Sequence, residues 1–175
     1  MISNQKIRCY ITNAVPTAAG AIELAMSETP FTLHGSRCLV TGYGRIGKIL
    51  SRMLCAIGAR VSVEARKFSD LAMIEANGYD AIELNSLPDR VADFDIVFNT
   101  IPYMIFNREI LGKLKPNALL IDLASRPGGV DFDAAAQMGI KVIWALSLPG
   151  KVAPVSAGTI IKETITNVIA EMKKG

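Results

Sequence analysis

The sequence predicts an α/β protein: a doubly wound parallel sheet (Rossmann fold) with strand order 3-2-1-4-5-6 and flanking N- and C-terminal helices. Three observations predict it. Short apolar runs alternate with amphipathic stretches about six times, as repeated strand–helix units do. Right-handed crossovers then restrict the strand order. Finally, VTGYGRIGKIL, Val40 to Leu50, places Gly42, Gly44 and Gly47 directly after an apolar run, where such a fold turns from sheet to helix.

The elements follow in order. Ile7 to Ile11 reads as a short strand. NAVPTAAGAIELAMSE is helical, with Thr17 as N-cap beside Pro16 and Ile22, Leu24, Ala25 and Met26 on its apolar face. TPFTLHGS breaks that helix and leads to the first core strand, Arg37 to Thr41. Lys48 to Ile57 is a helix ended by Gly58, Arg60 to Ala65 a strand, and Leu71 to Ala76 a helix stopped by Asn77-Gly78. Tyr79 to Glu83 is a short strand, and Asp89 to Ala92 a brief helix. DIVFNTIP is apolar almost throughout, as a strand covered on both faces must be. Then come a helix at Asn107 to Leu114, the strand NALLIDLAS, a helix at Phe132 to Met138 and the strand KVIWAL. A loop of breakers, SLPGKVAPVSAG, precedes a last helix from Ser156 to Lys173.

Composition narrows the function classes. Half of the 175 residues are hydrophobic and 20% charged, which suits one well-buried domain. A net charge of +3 without a basic block gives no case for nucleic acid, and Lys173-Lys174 reads as a solvated helix end. No apolar stretch has the length to span a bilayer and no secretory segment opens the chain, so a soluble, cytoplasmic protein is expected. Cys9, Cys38 and Cys55 lack metal-ligand spacing and read as buried free thiols; no metal site is expected.

The glycine segment has the context of a dinucleotide fingerprint, with a strand before it and a helix after it. Gly42 is expected to make the tight turn, Gly44 to let a pyrophosphate approach, and Gly47 to let the helix pack closely on the sheet. Main-chain N–H groups at Gly44, Arg45 and Ile46, at the positive end of the helix, would hold the diphosphate. The second strand ends VSVEARKFS, and by spacing the acid that grips the ribose of NAD falls on Ala65. Alternation implies that Glu64 and Ala65 do not both face the cofactor. Ala65 followed by Arg66 and Lys67, with Ser69 as a further donor, makes a cationic seat for the 2′-phosphate of NADP. The alternative is NAD, with Glu64 on the ribose and Arg66 and Lys67 solvated.

Asn99, Thr100, Ile101 and Pro102 lie at the carboxyl end of the fourth strand, where ribose and nicotinamide should pass. Asn99 either contacts the cofactor or satisfies loop backbone. Ser125 and Arg126 end the fifth strand, and an Arg fixed there suits a carboxylate. Asp122 reads as a loop-fixing group rather than a base. Lys151, and Ser156 at a second helix N-terminus, are further anion ligands. Ser125, Arg126 and Lys151 are the catalytic candidates. His34, the one histidine, precedes the first core strand and reads as a surface or packing residue. A His–carboxylate pair of the kind 2-hydroxyacid dehydrogenases use is thus missing.

NAVPTAAGAIELA, VTGYGRIGKIL, the EAR end of strand two, FNTIP, IDLASRPGGVDF and LPGKVAPVSAG together resemble the nucleotide-binding domain of the dipicolinate synthase A-subunit family. LASRPGGVDF combined with LPGKVAP is the particular part. The resemblance implies oxidation of dihydrodipicolinate to dipicolinate during sporulation, in the mother-cell cytoplasm, with NADP and a separate flavoprotein B-subunit. A dicarboxylate substrate suits Arg126, Lys151 and Ser156, and a homo-oligomer is the expected assembly. It also implies that residues 1–35 are a remnant of, or connector to, a second domain, and that 36–175 form the Rossmann domain. Two other readings stay open: a 2-hydroxyacid or alanine dehydrogenase relative, and a non-catalytic nucleotide-binding module.

Overall fold

The computed structural model of the protein describes residues 12–172. The strand expected at Ile7 to Ile11, Cys9 and the end of the last helix at Lys173 lie outside them. Six strands, β1 (Arg37–Thr41), β2 (Arg60–Ala65), β3 (Asp80–Glu83), β4 (Ile96–Asn99), β5 (Leu119–Asp122) and β6 (Lys141–Trp144), form one sheet. Its order is β3-β2-β1-β4-β5-β6 and every pairing is parallel, the order and class expected.

Eight α-helices surround the sheet among the described residues: α1 (Ala14–Glu28), α2 (Arg45–Ala56), α3 (Phe68–Ala76), α4 (Leu87–Arg90), α5 (Arg108–Leu111), α6 (Phe132–Gln137), α7 (Leu148–Val152) and α8 (Pro154–Met172). The central strands explain why two layers are needed. Val40, Phe98 and Ile121 pack on one face with Leu50 and Leu54 of α2 and Ala18, Ala21 and Ala25 of α1. Their neighbours Leu39, Val97 and Leu120 pack on the other with Leu87, Phe106 and Leu111. All these side chains are essentially buried, so each strand presents apolar groups both ways.

Several boundaries differ from expectation. α1 begins at Ala14, and Thr17 lies inside its first turn, its hydroxyl donating to the Asn13 carbonyl at 2.7 Å rather than capping. Pro16 does not delay the start, because the first turn needs none of its own N–H groups. SLPGKV is not a loop: it folds into α7 with Pro149 in the first turn. α7 seats on α1 at Gly20, where an added Cβ would lie 2.9 Å from a Val152 methyl. α8 consequently starts at Pro154, two residues before Ser156. Cys38 is buried, with its thiol pushed up to about 12 by that burial and by the charge of Asp95, but Cys55 is exposed on the outer side of α2. No described helix is long and apolar enough to cross a membrane.

Candidate functional site

The glycine loop leaves β1 with Gly42 at φ 89°, a conformation side-chain-bearing residues rarely adopt. A Cβ there would stand 2.7 Å from the Thr100 hydroxyl and 2.8 Å from Ile101, so the loop presses against the end of β4. A Cβ on Gly47 would overlap the Gly42 carbonyl oxygen. Gly44 differs: nothing lies within 4 Å of the position its Cβ would take. It is the N-cap of α2, a helix with no side-chain cap and no acidic residue in its first turn. That end carries an uncancelled partial positive charge facing open space.

A cavity of about 300 Å³ beside the loop gathers Gly42, Gly44, Ala65, Arg66, Lys67, Thr100, Ile101 and Pro102, all expected cofactor residues. An adjoining recess of about 300 Å³ is lined by Gly44, Arg45, Ile46 and Thr100. A third, of about 250 Å³, continues over Ala65 and Arg66 to Phe68, Leu71, Glu83, Leu84 and Asn85. Phe68 stands 82% exposed on its lip. Ser69 lines none of the three, because α3 begins at Phe68 and turns Ser69 to solvent; Phe68 and Asp70 take the places expected of it.

Glu64 corrects the alternation argument: it and Ala65 line the same cavity. The space lies beyond the strand end, where the loop folds back over β2, so a long side chain and a short one both reach it. Glu64 is fully buried; Oε2 accepts from the Gly42 N–H at 3.2 Å, while Oε1 has no protein partner. Burial raises its pKa, against the opposing pull of the Gly42 hydrogen bond and the Arg66 charge. Tyr43 and Asp70 also line the cavity. Sequence reasoning misses both, although Tyr43 lies inside the glycine segment and Asp70 directly follows VSVEARKFS.

Asn99 is not placed to touch a cofactor. It is fully buried, and its amide is used on all sides. Nδ2 donates to the Ile101 carbonyl at 3.0 Å and to Asp122 Oδ1 at 2.8 Å. Oδ1 accepts from the Thr41 hydroxyl at 2.7 Å and from the Ile101 N–H at 3.1 Å. Asp122 in turn accepts from the N–H groups of Ala124 and Gly129 at 3.0 and 2.9 Å. The pair is a latch fixing the loops after β4 and β5. Gly129 is part of it, since a Cβ there would overlap the Asn99 amide.

Ser125 and Arg126 are exposed at the carboxyl edge just past this latch. The Arg126 guanidinium lies 5.8 Å from the centre of the Trp144 ring. Lys151, exposed on α7, and Ser156, exposed in the first turn of α8, line none of the three cavities. Ser156 does not open its helix, so the helix start expected there is displaced to Pro154. His34 lies at the opposite edge, its ring against Gly58 beyond the end of α2.

Residues 15–139 match the family described as D-isomer specific 2-hydroxyacid dehydrogenase, NAD binding domain. The chain is 44% identical over 163 residues to the dipicolinate synthase A-subunit of Bacillus subtilis (strain 168), covering 93% of this chain and 55% of that one. The crystal structure of the Bacillus subtilis protein superposes with a TM-score of 0.93 at 42% identity, over 95% of this chain and 56% of that one. The corresponding Bacillus halodurans protein gives 0.91 at 38% identity, over 93% and 56%. The chain thus spans about half the length of the relatives it matches. With a parallel sheet in the expected order, a glycine loop at its first crossover and this match over most of the sequence, the chain belongs to the NAD-binding domain family of the D-isomer specific 2-hydroxyacid dehydrogenases.

Proposed function

We propose that this chain is the nucleotide-binding part of a dipicolinate synthase-like oxidoreductase, which oxidises dihydrodipicolinate to dipicolinate with NADP. The observation that carries the reading is the continuous set of recesses at one sheet edge. They run from the open space over Gly44 to Arg66, Lys67 and Phe68, and are joined by the Asn99–Asp122 latch to Arg126. The residues fit the cofactor: Gly44 leaves room for a diphosphate, and Thr100 and Ile101 floor the path of the ribose and nicotinamide. Phe68 and Leu84 offer an apolar slot for a base.

When bound, the nicotinamide supplies the acceptor for the hydride that leaves the substrate. The chain's own work is placement and charge. Arg126 takes a substrate carboxylate through its fork of N–H donors. Loss of a hydride and a proton turns the dihydropyridine into an aromatic pyridine, so little acid–base help is needed. Ser125, beside Arg126, is the proposed proton relay to solvent, and the Lys151 ammonium and Ser156 are the candidates for the second carboxylate. The role in sporulation, the mother-cell cytoplasm, the flavoprotein partner and a homo-oligomeric assembly belong to the same proposal, supported by the similarity to the Bacillus subtilis dipicolinate synthase protein.

One observation favours a second reading of the cofactor. The unpartnered Oε1 of Glu64, a buried residue of the cavity lining, is an acceptor suited to the ribose 2′-OH of NAD rather than to a 2′-phosphate. Calorimetric titration of NADP and NAD against wild type and Arg66→Ala decides between them. We expect tighter binding of NADP by the wild type and no preference in the variant. Tighter binding of NAD by the wild type transfers the role to Glu64.

A further inference from the structure

We infer that Trp144 is a positioning residue: its clamped ring restrains the Arg126 guanidinium over its π face, with the N–H fork left free for a substrate carboxylate. This rests on the reading of Arg126 as the carboxylate ligand and adds a residue to it. Trp144 ends β6, directly in register with Asp122 of β5. Its ring is fixed from several sides. The indole Nε1–H donates to the Ala124 carbonyl at 3.1 Å. The Phe132 ring stacks on it with centroids 5.0 Å apart and planes inclined by 26°. The backbone at Gly128 lies so close that a Cβ there would touch the indole at 3.4 Å. A ring held in this way is a rigid floor.

The guanidinium above that floor, 5.8 Å from the ring centre, is attracted to the π face. The kind of partner is the useful part. A π face attracts the cation without taking its N–H donors, while an acidic partner would occupy the same donors a carboxylate ligand needs. An aromatic floor therefore restrains a long, exposed side chain without competing for its ligand. The latch from Asp122 to Ala124 and Gly129 supports both ends of this arrangement, since it holds the loop that carries Arg126.

The test is titration calorimetry with pyridine-2,6-dicarboxylate in the presence of saturating NADP. Its subjects are wild type, Arg126→Ala, Trp144→Phe, Trp144→Leu and the Arg126→Ala/Trp144→Leu double variant, with NADP affinity and melting temperature measured alongside. Trp144→Leu is expected to weaken dicarboxylate binding roughly 2- to 5-fold, the range of an exposed cation–π contact. Trp144→Phe, which keeps a π face, should stay near wild type. In the Arg126→Ala background the Leu substitution should have no further effect. An equal effect of Trp144→Leu in both backgrounds, or equal losses for Leu and Phe, overturns the inference by making Trp144 merely structural. If Arg126→Ala itself leaves dicarboxylate affinity unchanged, the reading of Arg126 fails instead. The wild-type complex gives a second readout: Trp144 is the only tryptophan, so its emission should shift on dicarboxylate binding and not on NADP binding alone.

Discussion

Two glycines of the loop should respond to alanine in opposite ways, because one makes room for a ligand and the other for the fold. At Gly47 the new methyl would overlap the Gly42 carbonyl oxygen and lie 3.0 Å from its carbonyl carbon. Those are backbone atoms of a turn at φ 89°, tied by the Gly42 N–H to the Glu64 carbonyl at 3.0 Å, and they cannot swing aside. Overpacking of this kind costs about 3 kcal/mol at the upper end of its range. Alanine recovers about 1 kcal/mol of helix propensity. The net loss of about 2 kcal/mol should lower the melting temperature by roughly 4–8 °C in a chain of this size. At Gly44 nothing lies within 4 Å, and φ −81°, ψ −162° is open to any residue. Stability should fall by no more than about 1 kcal/mol, the cost of an N-cap alanine relative to glycine. Nucleotide affinity should nevertheless fall at least about tenfold, or ~1.4 kcal/mol, because the methyl fills the approach to the α2 N-terminus. Thermal melts and calorimetric titration with NADP and NAD measure both quantities. A Gly44→Ala protein that binds either nucleotide like wild type would refute the cradle, and a Gly47→Ala protein with unchanged melting would refute the packing argument.

Removing the latch should be more damaging. Asp122→Ala strands one N–H of the Asn99 amide and the N–H groups of Ala124 and Gly129 without acceptors, at about 1–3 kcal/mol each. The roughly 3–9 kcal/mol total rivals the stability of a whole domain, so urea unfolding should show a collapsed or lost transition; a wild-type midpoint would contradict the assignment. Glu64 gives a pH signature. Burial holds its folded pKa above the ordinary 4.5, so its contribution is complete below that value and is lost as pH rises through the raised one. Relative to wild type, Glu64→Gln should therefore gain stability as urea melts move upward from pH 4.5, levelling off above the raised pKa. Parallel stability–pH curves for the two proteins would count against a carboxyl whose pKa is raised by burial.

The fold was legible because its signals are long and redundant: six apolar runs, each followed by a helix-forming stretch, leave few ways to arrange a parallel sheet. Its edges were less so. β5 stops at Asp122, since that side chain captures the next backbone donors and draws the chain out of the ladder. α7 was hidden because Pro149 and Gly150 look like breakers, although a proline in a first turn removes no helical hydrogen bond. In the site, spacing grouped Ala65, Arg66 and Lys67, which are local to one strand end and line one cavity. It left Asn99 open between a cofactor contact and a loop-fixing role, because its partners Thr41 and Asp122 come from two other strands. Trp144 and Phe132 escaped for the same reason, because their importance appears only where β6 and α6 meet the loop after β5.

One carboxylate with three backbone and amide clients mounts the two loops that wall the site, after β4 and β5, on a single plate. Neither wall can shift without dragging the other, so the span between the glycine turn and the cation over the indole is built in before anything arrives. Whatever docks across it meets a ruler rather than a hinge.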